Sequence, residues 1–312
     1  MTDIILHHYP TSPFAEKGRL LLGLKQLPWK SVLIPRVMPK PDVVALTGGY
    51  RRTPILQIGS DVYCDTALIA QKLEQLAPAP TLFPKAHAAA IHATCQWADS
   101  QLFQTAVVIA FQPEVMAAAF ASVEEMKTFA ADRAAMRQGA TARRTPLAEA
   151  KPAMSLFLRH LDTQLSAGQR FLFGDAPTAA DLSVYHPLWF LRARPLLLPW
   201  LAPYEAVGAW MERVAAIGHG SHSELTSGQA IEIAKTAKPA DVRPESDAEG
   251  FDPGDRVKVL PTDYGLDPVA GELVACSSTE IAVRRRDARA GEVVVHFPRL
   301  HYELRKPPAS DA

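Results

Sequence analysis

The sequence predicts an α/β domain over residues 1–82, an all-α helical bundle over 86–237 and a small antiparallel β-barrel, loosely SH3-like, over 251–306. Three observations support this prediction. The first segment alternates short apolar runs with amphipathic helix patterns, the second is dominated by helix formers, and the third contains five short β-rich runs separated by Gly and Pro. The charged, proline-bearing stretch 238–250 is predicted to be a linker.

Length and composition exclude several classes of protein. At 312 residues the chain is long enough for two or three domains, and its formal net charge of zero does not favour binding to nucleic acid or anionic lipid. The three cysteines, at positions 64, 95 and 276, lie far apart, so we expect neither a disulfide framework nor a metal site. No signal-peptide pattern or membrane-spanning stretch is apparent, and we expect a cytoplasmic protein.

The first helix is the best-defined element of the α/β domain. The apolar run 4–6 predicts a buried strand, and a turn-rich stretch leads from it to Ser12 and Pro13. Serine is a favoured N-cap residue and proline a favoured first helical residue, so a helix is expected to begin at Pro13. The N-terminus of a helix carries free N–H groups and favours an anion, which makes Ser12 either a simple cap or part of an anion site.

The second half of this domain predicts a strand at 29–34, a hairpin of strands 53–58 and 61–63, and a helix at 66–75. The stretch 35–49 is expected to be mostly loop with one short helix. The resulting order, β-α-β followed by β-β-α, is that of a thioredoxin-like domain. Its second half begins at Thr53-Pro54, where a cis peptide is tolerable.

The helical bundle is predicted to contain helices over 86–111, 123–136 and 148–165. Thr178 followed by Asp181 forms a capping box with aspartate in the place of the usual Glu or Gln, which marks the beginning of a buried helix. We interpret these two residues as structural and not as catalytic.

Three motifs resemble those of the cytosolic glutathione transferases, specifically members with a serine at the thiol site. These motifs are Ser12-Pro13-Phe14 with Arg19 on the following helix, Thr53-Pro54-Ile55-Leu56, and Asp65-Thr66 directly before a helix. The pattern Gly174-x-x-Pro-Thr-x-Ala-Asp is similar to the one that opens a central helix in that family's second domain. The resemblance extends to about residue 237 and does not include 251–306.

The resemblance implies a role for each motif. Ser12 is expected to donate a hydrogen bond to the glutathione thiolate, and the backbone of Thr53 to pair with the cysteinyl part. Asp65 is expected to face the ammonium of the γ-glutamyl end, and Thr66 to hold its carboxylate. The remaining residues predicted to contribute to glutathione binding are Phe14, Arg52 and Pro54.

Several of these assignments have alternatives. Tyr9 is the alternative to Ser12 as the residue that contacts the glutathione thiol. Arg51 and Arg52 are either ligands of a glutathione carboxylate or solvated loop residues. His7 and His8 are interpreted as a locally packed strand end. The expected pocket for the electrophile is lined by Tyr9, Phe103, Val107 and Phe111, of which the last three are equally plausible core residues.

The predicted function is that of a glutathione transferase that adds glutathione, as co-substrate, to a hydrophobic electrophilic small molecule, without a metal and as a homodimer. Peroxide reduction, isomerisation and dehalogenation remain alternatives, as does a non-catalytic binding protein that acts through its C-terminal barrel. The chain has no Cys-x-x-Cys at residues 12–15, so thiol–disulfide exchange there is not expected.

The C-terminal barrel is expected to pack on the transferase body, either in a dimer interface or as a lid on the electrophile pocket. The segment 296–299, His-Phe-Pro-Arg, is the predicted tip of such a lid. The run Arg284-Arg285-Arg286 alternates faces on a strand, which favours a solvated surface with local partners over a nucleic-acid site.

Overall fold

The computed structural model describes residues 2–143, 145–243 and 250–306, and within them ten strands form one continuous sheet. The strands are β1 (Ile4–His8), β2 (Trp29–Leu33), β3 (Ile55–Ile58), β4 (Asp61–Cys64), β5 (His222–Glu224), β6 (Arg256–Pro261), β7 (Val269–Cys276), β8 (Glu280–Asp287), β9 (Gly291–Pro298) and β10 (Tyr302–Arg305). Their spatial order is β10-β6-β7-β8-β9-β4-β3-β1-β2-β5. The sheet therefore extends from the first domain into the C-terminal strands.

The helices are α1 (Pro13–Leu24), α2 (Pro41–Thr47), α3 (Thr66–Leu76), α4 (Ala88–Trp97), α5 (Phe103–Ala110), α6 (Pro113–Ala117), α7 (Val123–Met136), α8 (Leu147–Ser166), α9 (Ala179–Arg192), α10 (Leu198–Leu201), α11 (Glu205–Ala215) and α12 (Ser227–Thr236). A π-helical turn, Ala98–Leu102, joins α4 to α5. The predicted helix over 86–111 is thus one long helix with a local widening. No helix among the described residues combines the length and apolar character needed to cross a membrane.

The thioredoxin-like prediction for the first domain is confirmed. Strand β1 runs parallel to β2 and antiparallel to β3, and β3 and β4 form the predicted hairpin. Ser12 caps α1, because its Oγ accepts a hydrogen bond from the backbone N–H of Ala15 at 3.2 Å. The Thr53–Pro54 peptide is cis.

The helical domain is also confirmed, and Asp181 organises its centre. One carboxylate oxygen accepts from the backbone N–H and the hydroxyl of Thr178, each at 2.9 Å, which completes the predicted capping box. The other accepts from the Leu172 N–H at 2.9 Å and the Trp210 indole N–H at 3.0 Å. Four donors therefore converge on one buried carboxylate, which explains how an ionisable group is accommodated in this core.

The C-terminal extension has the predicted antiparallel arrangement, with β6 to β9 in a meander and β10 returning to pair with β6. It is also joined to the first domain, since β9 pairs in parallel with β4. The backbone groups at the edge of β4 are thereby paired instead of facing solvent. Residues of the two parts share one apolar core, in which Val62 and Cys64 pack with Leu273 and Phe297.

The prediction that 296–299 forms the tip of a lid is wrong for its first two residues. His296 and Phe297 are 2% and 1% exposed, respectively. His296 donates to Asp61 Oδ1 at 3.0 Å and to Glu280, so this histidine lies in the seam between β9 and β4.

The arginines of β8 have the local partners that were expected: Arg284 pairs with Glu272, and Arg286 pairs with Glu292.

Strand β5 and helices α6, α10, α11 and α12 were not predicted from the sequence. Strand β5 has three exposed residues and pairs in parallel with β2 at the far edge of the sheet. Helix α12 packs against β9, α2 and β2. The polar residues of β5 gave no apolar pattern to recognise, although Ser223 accepts from Lys30 and His222 stacks on Trp29 in the folded chain.

The division at 1–82, 86–237 and 251–306 is our proposal for the domain boundaries. In the predicted linker 238–250, the N–H of Ala240 donates to Asp61 Oδ2 at 2.8 Å, while 244–249 lie outside the described residues. The continuous sheet means that the extension and the first domain are packed as one unit despite this division.

Candidate functional site

A cavity of about 900 Å³ lies where the first domain, the helical domain and the C-terminal extension meet. Every residue that the sequence predicted for catalysis or binding lines it: Tyr9, Ser12, Phe14, Arg52, Thr53, Pro54, Asp65, Thr66, Phe103, Val107 and Phe111. Residues far apart in the chain thus meet around one cavity, whose volume is in the range of small-molecule binding sites.

Ser12 lies at the N-terminus of α1, facing this cavity, and is only 3% exposed. Its Oγ accepts the capping hydrogen bond from Ala15, so its hydroxyl proton is available for donation to another group. The positive end of the α1 dipole lies at the same point. The cap role and the predicted thiolate role are therefore compatible, since they use different parts of the hydroxyl group.

Thr53 and Pro54 form the wall next to α1. A Cβ on Gly18 would lie 3.2 Å from Pro54 Cγ, so the absence of a side chain allows α1 to approach the cis proline closely. Thr53 Oγ1 accepts a hydrogen bond from Lys40 Nζ at 3.2 Å. Lys40 is 3% exposed, and burial lowers its pKa to about 8.

Asp65 and Thr66 lie at the N-terminus of α3. Asp65 has a φ of 75°, and its Oδ1 accepts from the N–H of Ala67 at 2.9 Å. The hydroxyl oxygen of Thr66 is buried and has no hydrogen-bond partner among the described residues. A buried polar atom without a partner is costly in a finished structure, so this oxygen is a candidate for contact with a ligand.

The C-terminal extension reaches the same subsite. The Tyr302 hydroxyl donates to Asp65 Oδ2 at 3.2 Å and lies 3.1 Å from the Tyr50 hydroxyl. Arg52 pairs with Asp263, donates to the carbonyl of Tyr264, and lies 4.0 Å above the Tyr264 ring. Asp65, predicted to face the γ-glutamyl ammonium, and Arg52, predicted to contribute to glutathione binding, are therefore both held by the extension.

Arg51 and Arg52 are not solvated loop residues. Arg51 pairs with Asp132 of α7 at 2.8 Å, and Arg52 pairs with Asp263 of the extension. The Nε of Arg52 is nevertheless buried without a partner among the described residues, so one donor of its guanidinium remains for a ligand.

His7 and His8 are packed locally, as predicted. His7 bonds to Gln57 at 2.8 Å, and burial lowers its pKa to about 4. His8 bonds to Ser31 at 2.9 Å and lies 3.1 Å from the Arg19 guanidinium; burial and the nearby Arg19 charge lower its pKa to about 3. Both side chains are neutral at pH 7, and neither lines the cavity.

The expected electrophile wall is formed by one face of α5. Phe103, Val107 and Phe111 follow at spacings of four residues, line the cavity and are half-buried, while Ala106 and Ile109 face the core. Phe14 packs against Phe103 with ring centroids 4.7 Å apart. One side of α5, with Phe103 and Val107, thus forms the cavity wall, and the other side, with Ala106 and Ile109, belongs to the core.

Sequence reasoning missed a buried ionic cluster below this wall. Lys17 Nζ donates to Asp99 Oδ2 at 2.6 Å, and His186 Nε2 donates to Asp99 Oδ1 at 3.0 Å. Lys17 is on α1, Asp99 in the π-helical turn and His186 on α9, so no local pattern linked them. The one available signal for this cluster was the charged residue Lys17 on a helix face that is otherwise rich in leucine.

Models of two domains match the chain: the glutathione S-transferase N-terminal domain over residues 6–81 and the glutathione S-transferase C-terminal domain over residues 147–213. No curated protein sequence matches the chain significantly.

Solved structures are also similar to the chain. A GST-like protein from Pseudomonas syringae is 45% identical, with a TM-score of 0.83, and the match covers 98% of this chain and 100% of that protein. A glutathione S-transferase from Rhodospirillum rubrum is 21% identical (TM-score 0.49; 68% and 88% covered), and a maleylacetoacetate isomerase from Anaeromyxobacter dehalogenans is 22% identical (TM-score 0.43; 69% and 87% covered). The two domain models and the full-length match to the Pseudomonas structure establish that this chain is a member of the glutathione S-transferase family.

Proposed function

We propose that the protein binds glutathione, stabilises its thiolate through Ser12 and adds it to an electrophilic small molecule. The observation that supports this proposal is that Ser12, Thr53 and Thr66 all line one cavity, and the family resemblance assigns each of them a role in glutathione binding. The three residues come from different parts of the first domain, and their meeting at one cavity is what a site for a common ligand requires.

The residues at the γ-glutamyl end suit a charged amino-acid group. The unpartnered Thr66 hydroxyl and the unpartnered Arg52 Nε both lie buried at this end of the cavity, and α3 directs its N-terminal N–H groups there. These donors would hold a carboxylate, while Asp65 would face the ammonium group.

The proposed chemistry requires an ionised thiol near neutral pH, since the thiolate is the nucleophile. At the N-terminus of α1 the Ser12 hydroxyl and the helix dipole both favour the charged form of a nearby sulfur. The sulfur would form a bond to an electrophilic carbon. In a substitution, the electron pair of the bond that breaks at this carbon departs with the leaving group. In an addition, the electron pair of the double bond takes up a proton from solvent.

Family members typically dimerise, and we propose that this chain forms a homodimer. We also propose a cytoplasmic location, which is supported by the three cysteines, 64, 95 and 276, that remain as free thiols in the structure.

The test is calorimetric binding of glutathione and of S-methylglutathione to the wild type and to Ser12→Ala. We expect both ligands to bind the wild type. We expect Ser12→Ala to weaken glutathione binding about tenfold and S-methylglutathione binding much less, because the methyl thioether carries no charge for the hydroxyl to stabilise. Tyr9→Phe serves as the matched control for the competing assignment.

Equal effects of Ser12→Ala on the two ligands would reduce Ser12 to a helix cap. A selective effect of Tyr9→Phe would transfer the thiolate role to Tyr9. If neither ligand bound the wild type, the proposal of a glutathione-dependent enzyme would be refuted.

A further inference from the structure

We propose that the second substrate is an organic carboxylic acid with an apolar, aromatic-sized body, and that Arg137 binds its carboxylate. This inference rests on the proposed function, because it identifies the chemical class of the molecule that reacts with glutathione. It follows from the charge and shape of the cavity wall formed by α5 and α7.

The cavity is electrically unbalanced although the whole chain is neutral. Among the described residues, eight Lys or Arg and four Asp or Glu side chains line it. The carboxylates are already engaged: Asp99 with Lys17, Asp263 with Arg52, Glu149 with Arg143, and Asp65 with Tyr302. Two of the eight cations, Arg36 and Arg51, pair with Glu125 and Asp132, which are not part of the lining, and the positive charge that remains attracts anions.

Arg137 is the least compensated of the cations near the electrophile wall. It follows α7 directly, and its guanidinium donates to Gln104 Oε1 at 3.0 Å and to the carbonyl of Ala142 at 3.4 Å. Both acceptors are neutral, and no carboxylate of the described residues forms an ion pair with Arg137. The guanidinium keeps its full charge and has further donors for a planar oxyanion such as a carboxylate.

Neighbouring cations reinforce the same wall. Arg133, one turn earlier on α7, shares the single carboxylate of Asp132 with Arg51, at 2.8 Å from each. The Nε of Arg133 is buried and has no partner among the described residues. Asp132 thus serves two arginines, of which Arg51 also lies 4.0 Å from Asp267, and the positive charge on this side of the cavity is not limited to Arg137.

The rest of this wall is apolar and aromatic. Phe111 lies 5.8 Å from Phe129 and 6.1 Å from Phe190 between ring centroids, and all three line the cavity. Gln104, the partner of Arg137, is on α5 one turn before Val107 and two turns before Phe111. A ligand that matches this arrangement combines an apolar body with one anionic group at its end.

The test uses a matched pair of probes, 4-phenylbutanoate and 4-phenylbutanamide, which share one apolar body and differ in charge. Their binding is measured by calorimetry in the presence and in the absence of saturating S-methylglutathione. We expect the acid to bind the wild type about tenfold more tightly than the amide, since a charge-assisted hydrogen bond replaces a neutral one. We also expect the acid to bind when S-methylglutathione is already bound.

Three variants locate the effect. Arg137→Gln should remove most of the preference for the acid, Arg137→Lys should retain part of it, and both should leave amide binding nearly unchanged. Arg192→Gln removes the same charge from an exposed helix end, where Arg192 pairs with Glu212, and should leave the preference intact. The wild-type comparison of acid and amide needs no variant, so a folding defect in Arg137→Gln would not prevent the test.

The inference is overturned if the wild type binds acid and amide equally, or if it does not bind the acid at millimolar concentration. It is also overturned if S-methylglutathione excludes the acid, because Arg137 would then serve the glutathione site. Failure of the proposed function is recognised separately, since in that case S-methylglutathione itself does not bind.

Discussion

Lys17 Nζ lies 2.6 Å from Asp99 Oδ2, and this ion pair fastens α1 to the helical domain directly beneath the cavity. The Lys17 and Asp99 side chains are only 2% and 17% exposed. His186 donates to the other oxygen of Asp99, so one carboxylate connects the element that carries Ser12 with two elements of the second domain. This ionic cluster therefore helps to hold the two domains together, in addition to the apolar packing of α1 against α9.

Lys17→Met is expected to lower the free energy of unfolding by roughly 3 kcal/mol, because removal of one partner leaves the other charge buried. Chemical denaturation of the variant and the wild type measures the difference. Lys127→Met is the control, since Lys127 is exposed on α7 and its replacement should change stability by less than about 0.5 kcal/mol. Equal stability of the two variants would show that the Lys17–Asp99 pair is not required for domain docking.

Gly23→Ala tests the close approach of α1 to the loop after α11. A Cβ at Gly23 would lie 2.0 Å from the carbonyl oxygen of Gly218, which belongs to the backbone and cannot rotate away. We expect a loss of about 3 kcal/mol in the free energy of unfolding, at the upper end of overpacking effects. Gly208→Ala is the control, because a Cβ added at this position in α11 would meet no atom within 4 Å. This second substitution should instead stabilise the protein by about 0.5–1 kcal/mol. A stable Gly23→Ala protein would contradict the tight packing.

Tyr302→Phe tests the contribution of the extension to the glutathione site. Loss of the hydrogen bond to Asp65 should raise KM for glutathione about fivefold, since a hydrogen bond of this kind is worth about 1 kcal/mol. The value of kcat should change little, because Tyr302 acts through Asp65 and does not reach the thiol. Tyr204→Phe, whose hydroxyl donates to the carbonyl of Ser155 in the helical domain, is the control. An unchanged KM in Tyr302→Phe would limit the extension to a structural role.

His296 predicts a pH dependence of the seam between the extension and the first domain. Burial by itself lowers the pKa of His296, but hydrogen bonds to Asp61 and Glu280 outweigh burial and raise this pKa above its usual value. The protonated imidazole therefore stabilises the folded state. Its contribution is complete below the pKa of the unfolded chain, about 6.5, and is lost as the pH rises through the higher pKa of the folded state.

The measurement is the difference in unfolding free energy between the wild type and His296→Gln from pH 5.5 to 9. The advantage of the wild type should be largest at the acidic end and should decrease as the pH rises. The difference is used because His7 and His8 act in the opposite direction: burial lowers their pKa values, so they destabilise the fold as the pH falls below 6.5 in both proteins. A difference that does not vary with pH would contradict protonation of His296 in the folded state.

The sequence by itself determined most of the elements and several of the residues that line the candidate site. Periodicity and capping residues predicted α1 from Pro13, the capping box at Thr178 and all five strands of the extension, because these signals depend on neighbours within a few residues. The motifs around Ser12, Thr53 and Asp65 predicted several first-domain residues that line the cavity, but not Lys17, Arg36 or Tyr50, which also line it.

Tertiary structure alone decided how the extension is used. The pairing of β9 with β4 and the burial of His296 depend on backbone groups and on carboxylates up to 235 residues away in sequence. The contact of Tyr302 with Asp65 and the position of Arg137 beside Gln104 are of the same kind. A local pattern cannot encode such contacts, because the free energy of each contact depends on which distant side chain the fold brings within hydrogen-bond distance. The composition is equally uninformative about the cavity, since the chain is neutral as a whole while the cavity inside it is positive.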